Sequence, residues 1–246
     1  MALGPSEVHI WYRATESLDA DAVTAAAATL SHDERARTER LRMSHDRRDY
    51  VIAHDLVRRS LSRYAPVSAD AWVFSTDALG KPTIKDSTLS FSLSHTRGLV
   101  ACAIADGYRV GVDVESSSGA RDVDGLAERY FSPSEVASLR GCPKGERGLR
   151  FLELWTLKEA FLKAIGRGLS ESLNAISIDF PDEHSMRFSL SGPFDPRDWY
   201  LASFAPSRQT RLAVAVCGKY LERPQFIARS PGNERESSLP PMRSSA

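Results

Sequence analysis

Three acidic side chains in two separate segments have the types and spacing to share one ion. Gly111-Val112-Asp113-Val114-Glu115 reads as a strand. Strand side chains alternate, so Val112 and Val114 share one face while Asp113 and Glu115 project from the other. Carboxylates held side by side repel, and they need a cation, a positive neighbour or open water. Taken alone, such a pair more often marks a strand end facing solvent. The second segment, Trp155-Thr156-Leu157-Lys158-Glu159-Ala160-Phe161-Leu162-Lys163, reads as a helix with Leu154, Leu157, Phe161 and Ile165 on one apolar stripe. Glu159 and Lys163 share another face, with Trp155 one turn earlier. An ordinary amphipathic helix has these features too, except that Lys158 falls near the apolar stripe, where a lysine must snorkel or meet a partner. Brought together, Asp113, Glu115 and Glu159 suit Mg²⁺ (with Mn²⁺ an open alternative), a hard ion that bridges protein oxygens to a diphosphate. That chemistry predicts a nucleotide-like or coenzyme substrate.

Cations that could meet the phosphates are scattered. Gly80-Lys81-Pro82 places one on a tight turn, Ser94-His95 lies where a strand enters a turn, and Arg35, Arg37, Arg40, Arg42, Arg47 and Arg48 cluster in the first half. Each alone reads as a solvated charge or a satisfied loop residue. The remaining histidines show no metal or triad spacing. The sequence contains no G-x-G-x-x-G, P-loop, H-E-x-x-H or G-x-S-x-G motif.

The elements that must position these residues can be traced along the chain. A strand at Val8–Trp11 precedes a capped helix ending near Leu30, a helical piece at Glu34–Met43 and a longer helix, Arg47–Tyr64, stopped by Pro66. Short strands follow, with Phe91–His95 and Leu99–Ile104 forming a hairpin around Thr96-Arg97-Gly98. Beyond the Asp113 strand come helices at Val123–Tyr130, at Pro133–Leu139 behind the cap Ser132, and from about Leu149 to Ile165, closed by Gly166 and Gly168. Strands at Ile176–Phe180, Met186–Leu190, Tyr200–Phe204 and Leu212–Cys217 complete the pattern. Leu212–Cys217 echoes Leu99–Ile104, and each follows its half's long helix. This predicts an α+β fold of two similar halves, residues 1–112 and 113–221. The shift to Ser, Pro, Arg and Glu after Leu221 predicts a disordered, dispensable tail over residues 222–246.

Composition sets the outer bounds. With 246 residues, 42% hydrophobic, and 32 basic against 32 acidic side chains, the chain can bury a full core and lacks the basic excess of a general nucleic-acid binder. No apolar run approaches the roughly 20 residues that span a bilayer. The start of the chain lacks a signal-peptide pattern. Cys102, Cys142 and Cys217 lack metal spacing and read as reduced thiols. A cytoplasmic protein without membrane or nucleic-acid partners is expected.

In their order and spacing, F-S-L-S-H, G-V-D-V-E and W-T-L-K-E-A-F-L-K closed by G-R-G-L resemble the surfactin-synthetase-activating type of 4′-phosphopantetheinyl transferase over roughly residues 8–220. The resemblance implies a pseudo-dimer of two α+β halves with coenzyme A in the cleft between them. It implies Asp113, Glu115 and Glu159 as ligands of Mg²⁺. Lys163, His95 and Ser94 would lie near the coenzyme phosphates, with Lys158 alongside. Lys81 would serve the nucleotide end, and Arg37 the 3′-phosphate, beside a Glu34 that stands where some relatives have lysine. The implied reaction is attack by a serine of an apo acyl or peptidyl carrier protein on the β-phosphoryl group of coenzyme A, releasing 3′,5′-adenosine bisphosphate. Glu159 is the candidate base, and Lys163 and His95 stabilise the leaving side. Tyr130, Phe131 and Leu139 are candidates for carrier contact, although burial in the second half's core fits them equally. A fused pair of halves is expected to work as a monomer. Two other classes remain open: a Mg²⁺-dependent nucleotide diphosphate hydrolase using the same acids, and a non-catalytic coenzyme-A-binding module.

Overall fold

The computed structural model describes residues 3–117, 122–166, 173–219, 221, 223–231 and 239–245. One sheet has the strand order β11 (Gln225–Arg229), β1 (Glu7–Ala14), β5 (Leu99–Asp106), β4 (Leu89–Thr96). The other has the order β6 (Arg109–Ser116), β10 (Thr210–Cys217), β9 (Trp199–Phe204), β12 (Arg243–Ser245), β8 (Ser185–Leu190), β7 (Ile176–Asp179). A short hairpin of β2 (Phe74–Thr76) and β3 (Pro82–Ile84) stands apart.

Strand alternation makes the layers. Leu99, Ala101 and Ala103 of β5 pack with Val110, Val112 and Val114 of β6 and with Leu212, Val214 and Val216 of β10 in a core between the sheets. The opposite face of β5 (Val100, Cys102, Ile104) takes the long helix α3 (Ser44–Leu61). Ala213 and Ala215 of β10 likewise take α6 (Lys144–Ile165). The layers therefore run helix, sheet, sheet, helix. Among the described residues no helix is long and apolar enough to cross a membrane.

Shorter helices start where their caps dictate. α1 (Ala20–Ala27) follows Asp19, and α4 (Val123–Tyr130) follows Asp122. α2 (His32–Arg40) and α5 (Pro133–Gly141) each open with a capping box, Ser31 with Glu34 and Ser132 with Glu135. The last helix, α6, begins at Lys144, earlier than its sequence pattern indicates, and ends at Gly166 with φ +79°, a left-handed value suited to glycine. Gly168 and the rest of G-R-G-L lie outside the described residues.

Each half runs, over the described residues, through a strand, three helices, a strand pair and a hairpin whose last strand returns antiparallel to the first. Thus β1–β5–β4 corresponds to β6–β10–β9, and the echoing segments are β5 and β10. The repeat restarts at Arg109, so a division at 112/113 falls inside β6. The tail departs from expectation. β11 pairs in parallel with β1, matching Glu7 with Gln225 through Trp11 with Arg229, and β12 sits between β9 and β8. The short run Phe226-Ile227-Ala228 is apolar enough for a strand once β1 offers an open edge.

Candidate functional site

The site forms where the two sheets meet edge to edge and α6 lies across the seam. β4 and β6 are both end strands. No backbone ladder joins them, and serine hydroxyls bridge the gap. Val112 N donates to Ser92 Oγ at 3.1 Å and Val114 N to Ser94 Oγ at 3.3 Å, while Ser90 Oγ donates to Tyr108 O. The alternation Leu89-Ser90-Phe91-Ser92-Leu93-Ser94 thus puts apolar residues on α3 and hydroxyls on the seam. Sequence reasoning picked out only Ser94 from this series.

Gly111 sets the spacing between β6 and α6. A β-carbon there would lie 2.0 Å from Ala160 O and 2.5 Å from Ala164 N, far inside contact distance, so only glycine permits this backbone approach. One consequence is that Lys163 reaches Asp113. The Lys163 Nζ donates to Asp113 Oδ1 at 2.7 Å and to Ser94 Oγ at 2.9 Å, and Ser94 Oγ donates to the same Asp113 oxygen at 2.8 Å. These bonds leave two buried carboxylate oxygens, Asp113 Oδ2 and Glu159 Oε1, with no hydrogen-bond partner among the described residues.

Glu159 is held unusually close to neutrality. Burial, reinforced by the charge of Asp113 and more weakly of Glu115, pushes its pKa up to about 7 against the pull of Lys163. His95 is shifted down, chiefly by desolvation. Asp49 and Asp46 oppose that shift, and Lys163 and Arg37 add to it. Arg37 is exposed on α2, with its guanidinium carbon 5.9 Å from the Tyr50 ring centre. Glu34, which stands in a lysine position of some relatives, is engaged by Arg58, whose Nε and Nη2 approach its Oε2 at 3.0 and 2.9 Å. It therefore fastens α2 to α3.

Asp113, Glu159, Lys163 and Ser94 therefore gather at the seam, with Glu115 two residues along β6, whereas His95 follows Ser94 on β4 as an exposed residue of the opposite strand face and Arg37 is exposed on α2. Two expected coenzyme contacts are used elsewhere. Lys158 is fully buried, its ammonium 2.9 Å from Glu135 Oε2 and hydrogen bonded to Leu173 O and Ile176 O. Its place on the apolar stripe is explained by this partner on α5. Lys81 directs its ammonium to Val110 O, Lys163 O and Ala164 O. Of the proposed carrier contacts, Phe131 and Leu139 are core residues, Phe131 stacking on Phe151 at 5.1 Å, and Tyr130 is partly exposed against Trp155.

Among the described residues no three His, Cys, Asp or Glu side chains form a cluster that could hold a metal as they stand, and Lys163 neutralises Asp113 instead. The chemistry of the donors nevertheless fits a hard cation. Two unpartnered buried carboxylate oxygens, and a Glu159 whose ionised form is disfavoured by burial and by its acidic neighbours, are all relieved by one divalent charge. Beside them a cleft of about 270 Å³ is lined by Gly80, Lys81, Pro82, Phe91, Lys163 and Gly166 among others.

Comparison with known proteins gives a consistent result. The family described as the 4′-phosphopantetheinyl transferase superfamily matches residues 109–217, the span from the start of β6 to the end of β10. The 4′-phosphopantetheinyl transferase HetI of Nostoc sp. is 32% identical over 222 residues, covering 89% of this chain and 91% of its own. The 4′-phosphopantetheinyl transferase Sfp of Bacillus subtilis is 31% identical over 178 residues, covering 68% of this chain and 78% of its own. Among solved structures, a Bacillus anthracis holo-(acyl-carrier-protein) synthase aligns with a TM-score of 0.39 and 19% identity over 45% of this chain and 96% of that one.

Proposed function

The chain belongs to the 4′-phosphopantetheinyl transferase superfamily, and from that premise we propose that it moves the 4′-phosphopantetheine group of coenzyme A onto a serine of an apo acyl or peptidyl carrier protein. The observation that carries this reading is the apposition of Asp113, Glu159 and Lys163 beside the inter-half cleft. The serine oxygen forms a bond to the β-phosphorus of coenzyme A, the bridging P–O bond breaks, and 3′,5′-adenosine bisphosphate leaves with the bonding pair.

Asp113, Glu115 and Glu159 would hold Mg²⁺ or Mn²⁺, which when bound neutralises the coenzyme diphosphate. The chain's own groups do the rest by position and charge. The ionised Glu159 takes the serine proton, directly or through water, and a pKa of about 7 suits a base working near neutrality. Base and ligand roles compete for the same oxygens. The Lys163 side chain is 31% exposed, so its ammonium can meet a phosphate oxygen while staying on Asp113. His95, whose pKa is lowered chiefly by desolvation, would donate to a coenzyme phosphate oxygen. Arg37 would meet the 3′-phosphate at the outer end. Both halves of the cleft come from one chain, which fits a monomer, and its three free cysteines fit the cytoplasm.

Incubating the full chain with coenzyme A, Mg²⁺ and apo carriers of several pathways should add one phosphopantetheine mass to the carrier serine. A folded protein that modifies none of them would count against transfer. Cleavage of coenzyme A without carrier would mark a hydrolase, and binding without turnover a coenzyme-binding module.

A further inference from the structure

The β2–β3 hairpin is built to reach the other half of the molecule. Asp77 shapes its turn: Oδ1 accepts from the amides of Leu79 and Lys81, both at 2.9 Å, and its own amide donates to Lys81 O at 2.9 Å. Gly80 sits at φ +85°, where a side chain would be strained. From this turn the Lys81 ammonium donates to Val110 O on β6 at 2.6 Å and, in the last turn of α6, to Lys163 O at 2.8 Å and Ala164 O at 3.2 Å. An ammonium has three N–H groups, so its donor capacity is used up. The two helix carbonyls belong to the final turn, where Lys163 O otherwise accepts only a long bond from Gly166 N at 3.3 Å among the backbone bonds, and a cation there also complements the helix dipole. Gly166 packs on the same turn, since a β-carbon there would stand 3.4 Å from both Leu79 Cβ and Lys81 Cβ.

We propose that Lys81 is a positioning residue and not a phosphate ligand: it fastens the last turn of α6 to β6, and so keeps Lys163 on Asp113 at the wall of the cleft. The proposal rests on the transferase reading for the reaction it tunes, though the geometry exists without it. Lys81 does line the cleft, but its charge faces backbone carbonyls. Burial accordingly brings its pKa down to about 8, as expected of an amine withdrawn from water.

Lys81→Met and Lys81→Arg in the full chain, titrated with coenzyme A and 3′-dephospho-coenzyme A, test this assignment. A positioning role lowers kcat in Lys81→Met by about tenfold or more while KM for coenzyme A stays within about threefold. The affinity ratio between the two coenzymes stays at its wild-type value, and amide exchange at residues 162–166 accelerates about tenfold. Lys81→Arg behaves like Lys81→Met, because a planar guanidinium cannot place three donors on three converging carbonyls. The proposal is overturned if KM rises tenfold at constant kcat, if the affinity ratio collapses towards one, or if Lys81→Arg retains full activity. Should Lys81→Met fail to fold, Lys81→Arg and its exchange pattern decide the matter. If the wild type binds coenzyme A and transfers nothing, the transferase reading fails, and exchange at residues 162–166 still decides the role of Lys81.

Discussion

Glu159 is where folding and function pull in opposite directions. Its pKa is raised in the folded state to about 7 from the ordinary 4.5, so the folded chain binds more protons than the unfolded one between those values. The resulting stabilisation is fully present below the unfolded value and is lost as pH rises through about 7. We expect the metal-free protein to melt at lower temperature at pH 8 than at pH 5.5, and Glu159→Gln to flatten that dependence while abolishing transfer. Mg²⁺ should raise the melting temperature more at pH 8 than at pH 5.5, because ligation needs the ionised carboxylate. Parallel melting curves for wild type and Glu159→Gln across this range would remove Glu159 from the crowded acid group. Asp113 gives a separate test. Asp113→Ala loses the bonds from Ser94 and Lys163, at a cost of about 1–3 kcal/mol, but also relieves repulsion on Glu159. A native circular dichroism spectrum with no transfer is expected, and an unfolded spectrum would make Asp113 a structural residue.

At the scale of elements, the sequence displays types and periodicity but not partners. The helix bearing Glu159 and the strand bearing Asp113 are visible in alternation and 3.6-residue spacing, because those patterns are local. Lys158 stands out on the apolar stripe for the same reason, yet its partner Glu135 lies on another helix, where it also reads as part of a capping box with Ser132. Only packing makes one carboxylate serve both. Lys81 belongs to the same class: a turn lysine gives no sign that three carbonyls of the other half converge on it. Removing one member of the buried pair should be costly. We expect Lys158→Met to destabilise the protein by about 3–5 kcal/mol in chemical denaturation, and the double change with Glu135→Gln to recover part of that loss. A double-variant loss equal to the sum of the separate Lys158→Met and Glu135→Gln losses would show that the ion pair is not coupled. Gly111→Ala is predicted to be worse for activity than for folding. Its methyl must push α6 away from β6, costing about 1–3 kcal/mol, and the displaced helix carries both Glu159 and Lys163.

Across the whole molecule, the duplication was legible because β5 and β10 repeat a short apolar pattern, whereas the docking of the tail was not. A strand added to an edge draws its stability from backbone pairing, and so it needs little apolar sequence of its own. β11 takes the edge of the first sheet beside β1, and Ala228 enters the core between the sheets. β12 enters the second sheet, where Arg243 Nε donates to Glu153 Oε1 at 3.0 Å. Glu153 is buried on α6 and also accepts from Ser203 at 2.9 Å. The tail therefore contacts both halves and is anchored to the helix that carries Glu159. Ending the chain after Leu221 removes the β11 pairing and the Arg243 donor together, leaving Glu153 with Ser203 and an Arg150 guanidinium at 3.8 Å. Losing a hydrogen bond to a buried charge costs about 1.5–3 kcal/mol, the lost β11 pairing adds to it, and in a chain of this size each kcal/mol lowers Tm by about 2–4 °C. The truncated protein should therefore melt about 10 °C lower, and Arg243→Met in the full chain should reproduce much of that drop. A truncated protein that melts within 2 °C of the full chain (about 1 kcal/mol or less) would mean that neither tail strand is docked in solution.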